Sequence, residues 1–409
     1  MTYAMYSWAL VLDDDPFVQK TLSRMLLKLD VRDVVTCGNA ELALATIIDS
    51  GNSPDLVLFD LNMPEMDGIE FVRGLVERQY SGGLIIISGE DERVLNAAAI
   101  LAREHRLTLL GQLVKPVSSS TLRKLLEKWV PKSVEEHQPI SRIYSPQELQ
   151  QAIQTGELVN FYQPIVAVSS GQCVGVETLV RWRHPRDGLV MPNNFIGVAE
   201  EHGLIDELTH AVLRGVFTQI AEWERSLIHL RVAINVSMIN LVSLSFPDIV
   251  AHLAKDAGVA PRRIKLEVTE TQLLEDLRAP LDVLVRLRLK GFRLSIDDFG
   301  TGHSSLAQLR DIPFDQIKID RGFVHRAWAD NTVRAIYDAS LNLSRQLGFE
   351  AVAEGVEDRA DWDFVRKTGC DLAQGYFISR PMPGEQLAQW LSAWESGVRQ
   401  ELMTSTKGA

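Results

Sequence analysis

Arg293-Leu-Ser-Ile-Asp-Asp-Phe-Gly-Thr-Gly-His-Ser-Ser305 is the stretch on which the fold of this chain turns. Phe292, Leu294 and Ile296 are apolar in step, at the period of a strand. The strand runs into two adjacent carboxylates, Asp297 and Asp298, and then into a loop with Gly300 and Gly302. Burying apolar strand residues is ordinary. Two like charges at the strand's end are costly unless a cation neutralises them. Taken alone, the pair reads most simply as a polar strand end with one Asp capping the next helix. The surrounding chain overrules that reading.

Seven other segments of the C-terminal part are strand-like, with helical stretches between them: 159–166, 174–182, 231–236, 264–268, 316–319, 351–353 and 372–378. Eight strands over roughly 250 residues match a (β/α)8 barrel, whose chemistry sits at the carboxyl ends of several strands. Those ends carry Glu177, Asn235, Glu267 with Glu270, Asp297 with Asp298, Lys318, Glu354 with Glu357, and Gln374. Any one of these is a hydrogen-bonded polar residue at a strand end. Together, five or more acids around one barrel mouth repel one another at neutral pH. Divalent cations remove that repulsion, and one Asn with several carboxylates is an oxygen ligand set for Mg²⁺ or Mn²⁺. No His or Cys stands at these positions, which counts against zinc. Two ions about 3.5–4 Å apart, bridged by one acid, suit in-line attack of water on a phosphodiester. A barrel glycosidase needs only a carboxylate pair and no metal, and ranks below.

These segments resemble the EAL-domain phosphodiesterases, which cut cyclic di-GMP to linear pGpG. The matching motifs are Glu177-Thr-Leu179, Asn235, Glu267-Val-Thr-Glu270, Asp297-Asp-Phe-Gly-Thr-Gly302, Lys318-Ile-Asp, Glu354-Gly-Val-Glu357 and Gln374-Gly-Tyr. The resemblance implies that Glu177, Asn235, Glu267 and Asp297 bind one metal. Asp297, Asp298 and Glu354 then hold a second, with Asp297 bridging. Lys318 steers the attacking water, and Glu270 anchors the Gly-rich loop. Leu179, Arg181, Asp298, Glu357 and Gln374 contact the substrate, Arg181 through a phosphate. The signature departs from the family at Thr178, where Ala is usual. Strand alternation turns that side chain away from the face of Glu177. His184 is read as organising a loop, and His303 is given no role.

The N-terminal part, residues 1–130, has four apolar runs. Ala9–Leu12 leads to Asp13-Asp14-Asp15, Leu56–Phe59 to Asp60, Leu84–Ile87 to Ser88, and Leu109–Val114 to Lys115-Pro116. Helical segments alternate with them, which indicates a doubly wound parallel sheet with its crevice at the carboxyl ends. Asp15 before Pro16 is a helix cap, so Asp13 and Asp14 need another purpose. The acids suit Mg²⁺, while Ser88 and Lys115 suit phosphoryl oxygens. Val11-Leu-Asp-Asp-Asp-Pro16, Leu58-Phe-Asp-Leu-Asn-Met-Pro-Glu-Met-Asp-Gly68 and Val114-Lys-Pro116 resemble the receiver domain of response regulators. The resemblance implies that Asp60 is the phosphoacceptor and that Asp13 and Asp14 hold Mg²⁺ with the Asn62 carbonyl. Ser88 and Lys115 would contact the phosphoryl group. Gln112 stands where that family usually has an aromatic switch residue.

Residues 131–143 read as a polar linker, and Ser145-Pro-Gln-Glu148 as a capping box opening the barrel domain at residues 144–400. Residues 401–409 read as a flexible tail. The net charge of −12 and the lack of a basic run argue against DNA binding. Cys37, Cys173 and Cys370 form no pair, which favours a reducing cytoplasm. No signal-peptide pattern or membrane-length apolar run is present. The expectation is a cytoplasmic response regulator with phosphodiesterase output, phosphorylated by a histidine kinase or phosphotransfer protein and working as a homo-oligomer. The alternatives are a cyclic di-GMP sensor without turnover, and a receiver that competes for kinase phosphate.

Overall fold

The computed structural model describes residues 6–49, 53–78, 80–89, 92–105, 107–127, 144–270, 278–301 and 311–398. The linker, the tail, Gly302 and His303 lie outside these residues. The chain divides into two compact units at residue 138.

The first unit is a five-stranded parallel sheet. Its strands are β1 (Tyr6–Leu12), β2 (Val31–Cys37), β3 (Leu56–Asp60), β4 (Gly83–Ser88) and β5 (Thr108–Val114). Their order is β2-β1-β3-β4-β5. Strand alternation divides the apolar runs between two cores. Leu10, Val57, Phe59, Leu84 and Ile86 pack with Phe71 and Ala98 on one face. Ala9, Val11, Leu58, Ile85 and Ile87 pack with Leu22, Leu26 and Leu122 on the other. Each large side chain so buried contributes about 1.5–3 kcal/mol. β2 is the strand that the apolar runs do not reveal. It lies at the sheet edge, and among its residues only Val31 and Cys37 are buried. Strands β1 and β3 are neighbours, so Asp13 and Asp60 come out side by side at the carboxyl edge.

The second unit contains β6 (Leu158–Ala167), β7 (Cys173–His184), β8 (Gly188–Val190), β9 (Arg231–Asn235) and β10 (Ile264–Thr269). It continues with β11 (Arg293–Phe299), β12 (Gln316–Ile319), β13 (Glu350–Ala353), β14 (Leu372–Ala373) and β15 (Met382–Pro383). Strands β6, β7 and β9 to β14 close an eight-stranded barrel, with β8 and β15 appended to β7 and β6. The successive pairs from β7 to β14 are parallel, while β6 is antiparallel to both β7 and β14. The turn from Ala167 to Cys173 is too short for the crossover that a parallel pair needs. Ser145 and Glu148 form the expected capping box.

Alternation also sets the character of the barrel's two faces. Leu266, Val268, Leu294, Ile296, Ile317 and Ile319 join the large core that contains Leu213, Leu284 and Leu341 of the surrounding helices. The intervening Lys265, Glu267, Ser295, Asp297, Gln316 and Lys318 are buried too. Several are held by hydrogen bonds at this level: Ser295 Oγ donates to Gln316, and Gln316 and Lys265 both donate to Glu350. The apolar stabilisation therefore comes from the helix-facing side, and the interior is polar.

The last strand is shorter than the sequence suggests. It ends at Ala373. Beyond it the Gly375 carbonyl accepts N–H groups from Ile378 and Ser379, which makes a turn. Gly375 lies so close to Val356 that an added Cβ would sit 2.2 Å from the Val356 carbonyl oxygen. Gly375→Ala is expected to destabilise the barrel by about 2 kcal/mol or more, as overpacking against fixed backbone does. Urea denaturation of the full chain, followed by tryptophan fluorescence, measures this; an unmoved barrel transition would contradict the close approach. Among the described residues, no helix is long and apolar enough to cross a membrane.

Candidate active site

The site is built from the carboxyl ends of the barrel strands. Lys318, on β12, is 1% exposed and sits at its centre. Its Nζ lies 2.7 Å from Glu354, 2.9 Å from Asp297, 3.1 Å from Glu267 and 3.3 Å from Glu177. These acids come from the ends of four different strands. Glu177 is fixed from both sides: Asn235 Nδ2 donates to Oε1 at 3.0 Å, and Gln374 Nε2 donates to Oε2 at 2.6 Å.

Adjacent residues of a regular strand point to opposite faces, so Asp297 and Asp298 should diverge. The pairing of β11 with β12 shifts register between Ile296 and Phe299. Asp298 has φ +54°, in the left-handed region. That conformation costs a non-glycine residue about 1 kcal/mol, and such strain is stored at functional sites. Here it brings both carboxylates onto one cluster. Glu270 Oε2 accepts the Gly300 N–H at 2.7 Å, which ties down the backbone just after the pair.

Two acidic triads result. Oxygens of Glu177, Glu267 and Asp297 lie within 4.8 Å of one another, as do those of Asp297, Asp298 and Glu354. Asp297 belongs to both. One lysine does not neutralise five acids. Burial, helped by the neighbouring acids and opposed by Lys318, pushes Glu267 up to about 8 and Asp298 to about 6, and holds Glu354 well above the carboxylate range. Among the described residues, the buried Glu267 Oε1 has no hydrogen-bond partner. This donor set could hold hard divalent cations.

A cavity of about 280 Å³ opens above Lys318, lined by Asp298, Glu354, Glu357 and Gln374 among others. A second, of about 490 Å³, lies beyond Asp297 and Asp298 and is lined by Leu179, Glu200, Asn235 and Ser237 among others. Arg181 is buried, donates to the Val180 carbonyl and lies over the Phe161 ring. The buried Thr178 hydroxyl has no partner among the described residues. His184 accepts N–H groups from Arg186 and Asp187, which organises that turn. Sequence reasoning missed Gln163, which accepts from Gln374 Nε2 and donates to the Ser379 carbonyl. Its signal was a polar residue in the apolar run of β6. Arg321, also on the first cavity, carried no signal of its own, while Tyr376 stood in the Gln374-Gly-Tyr motif without an assigned role.

The first unit has a smaller cluster of the same kind. Asp15 caps the helix Pro16–Lys28, as expected, which leaves Asp13 and Asp14 beside Asp60. Lys115 Nζ bridges Asp13 at 2.7 Å and Asp60 at 2.6 Å. Ser88 is fully buried at the end of β4. Gln112 donates to Asn96 at 2.6 Å, and its own buried Oε1 has no partner among the described residues.

The family model of the EAL domain matches residues 146–381, and that of the response regulator receiver domain matches residues 9–127. This is a receiver–EAL protein. The cyclic di-GMP phosphodiesterase RocR of Pseudomonas aeruginosa is 32% identical over 396 residues, covering 94% of this chain and 98% of that protein. NbdA, a cyclic di-GMP phosphodiesterase of the same organism, is 42% identical over 253 residues, which are 61% of this chain and 32% of that protein. The chain likewise spans 30% of an uncharacterized signaling protein of Caulobacter vibrioides, at 42% identity. Among solved structures, a MucR phosphodiesterase in complex with c-di-GMP superposes with a TM-score of 0.57 and 38% identity. That match covers 59% of this receiver–EAL chain and 98% of the MucR chain.

Lys318→Met leaves the surrounding acids without their cation, a change that costs about 3–5 kcal/mol at buried pairs. In a chelator the variant should melt well below the wild type, and adding Mg²⁺ should restore more of its Tm than it adds to the wild type. Equal melting temperatures in chelator would remove Lys318 from the electrostatic centre.

Proposed function

We propose that the EAL unit hydrolyses cyclic di-GMP to linear pGpG with bound Mg²⁺ or Mn²⁺, and that phosphorylation of Asp60 controls it. The observation that carries this reading is the pair of acidic triads sharing Asp297 around one buried lysine. It gains weight from RocR, a phosphodiesterase aligned along nearly the whole chain.

Glu177, Asn235, Glu267 and Asp297 would hold one ion, and Asp297, Asp298 and Glu354 a second. Oxygen donors, the unpartnered Glu267 Oε1 and the excess of acids over cations fit that occupancy. Bound there, the ions would activate water and stabilise charge on the phosphoryl oxygens. The chain's own groups do the remaining work. Lys318 orients the water and keeps its positive charge next to the scissile phosphate. Asn235 and Gln374 fix the two oxygens of Glu177. Arg181 pairs with a substrate phosphate, Leu179 and Asp298 contact the substrate, and Glu357 and Gln374 line its pocket. Glu270 keeps the Asp297-Asp298 backbone in place through Gly300. Thr178, facing away from the acids, leaves this machinery intact.

In the receiver unit Asp60 accepts phosphate from a histidine kinase or phosphotransfer protein. Asp13, Asp14 and the Asn62 carbonyl hold Mg²⁺, and Ser88 and Lys115 contact the phosphoryl oxygens. Phosphorylation adds about −1.5 to −2 charge there. In this reading the protein works in the cytoplasm as a homo-oligomer and binds neither DNA nor membrane.

The test is nucleotide chromatography on the purified full chain, with cyclic di-GMP and Mg²⁺, with and without acetyl phosphate. Linear pGpG should accumulate, and a chelator should stop it. Glu177→Ala should lower kcat at least about a hundredfold. Acetyl phosphate should change the wild-type rate and leave Asp60→Ala unaffected. Turnover that persists in chelator would refute the metal mechanism, and an acetyl phosphate response in Asp60→Ala would refute the control.

A further inference from the structure

His325 lies outside every motif read from the sequence, yet it stands behind a wall of the 280 Å³ cavity. It follows the short helix Arg321–Val324. Its Nδ1 is 2.8 Å from Asp361 Oδ2, and its Nε2 is 3.9 Å from Glu357 Oε2. Asp361 is completely buried. Its Oδ1 accepts the Arg326 N–H at 2.9 Å, and its Oδ2 accepts the Glu357 N–H at 3.1 Å. Backbone N–H groups can only donate, so both oxygens of Asp361 act as acceptors. The proton between Asp361 and His325 is thereby assigned to Nδ1, which fixes the tautomer.

A neutral ring in that tautomer would turn the lone pair of Nε2 toward the Glu357 carboxylate. The imidazolium instead offers one N–H to each acid. Glu357 is held on its other oxygen by Arg321, at 2.7 Å. Arg321 can lie there because Gly355 has no Cβ: one at that position would sit 2.2 Å from Arg321 Cγ. Gly355 also has φ +63°, which favours glycine. Arg326 adopts φ +61°, a strained value for a side-chain-bearing residue, and its N–H is the one that Asp361 accepts. Backbone strain, a buried carboxylate and a close-approach glycine thus converge on the placement of Glu357.

We infer that His325, clamped by Asp361, is a cationic positioning residue that holds Glu357 in the substrate pocket. It rests on the phosphodiesterase reading for the identity of the ligand. Glu357 accepts hydrogen bonds only, so it meets donor groups of the nucleotide. Among the described residues Arg321 and His325 are the basic neighbours of Glu357, and removing the charge of His325 weakens that hold and lowers affinity. The charged groups facing the ring are Asp361, Glu357 and Asp358, with Arg321 across Glu357.

His325→Gln and Asp361→Asn are compared with the full-length wild type in turnover of cyclic di-GMP from pH 5.5 to 8.5. The wild-type KM should rise from the acid to the alkaline end of that range. In His325→Gln the KM should be raised about fivefold at pH 6, equivalent to about 1 kcal/mol, and be flat with pH. kcat should change less than KM. An unchanged KM and pH profile in His325→Gln would overturn the proposal, as would a fall in kcat alone that tracks a lowered Tm. Equilibrium binding of cyclic di-GMP in Ca²⁺ provides a second readout. If the wild type binds in Ca²⁺ but does not turn over cyclic di-GMP in Mg²⁺, the phosphodiesterase reading fails, and weaker binding by His325→Gln still supports the role of His325. Equal binding by both would overturn it.

Discussion

Buried like charges are the constraint on which the second unit is organised. Glu177, Glu267, Asp297 and Glu354 converge on one ammonium group, Lys318, in a space that solvent barely enters. Such a cluster persists only if something else stabilises the fold. The helix-facing side of each strand supplies that stability, through Leu266, Leu294, Ile317 and their neighbours. The interior is thereby free to be polar. Asn235, Gln374 and Gln163 then use it, each fixing a carboxylate or the group that fixes one.

The two units use one device at different scales. Each brings acids from several parallel strands to one edge and bridges them with a lysine from another strand or strand end. In the receiver unit Lys115 joins Asp13 and Asp60. In the EAL unit Lys318 joins four acids. Parallel strands make this possible, because all their carboxyl ends face the same way.

Much of this was legible in the sequence, and the reasons are physical. An apolar strand that ends in an acid, unbroken in β1 and β3 and of period two in β10 and β11, signals both the sheet and its functional edge, so these four could be read directly. Strand β2 could not, because an edge strand exposed over most of its length has no apolar run. The antiparallel β6 was missed although its short turn before Cys173 forbids a crossover; counting eight strands does not test their direction. The convergence of Asp297 and Asp298 depends on a register shift and a left-handed residue, and propensity gives no sign of either. His325 and Gln163 act through partners remote in sequence, which no local pattern reports.

The hydrogen bond between Gln374 and Glu177 joins residues 197 positions apart, one on the second barrel strand and one just past the last. A ribosome must therefore release nearly the whole EAL unit before Glu177 acquires its final orientation. A nascent chain that has emerged only as far as β13 carries every acid of the upper cluster except Glu354, yet its barrel has no closing stave. The order of synthesis thus delays the site until the strand Leu372–Ala373 and Gln374 have emerged, so a chain that stops before them does not become a partial enzyme.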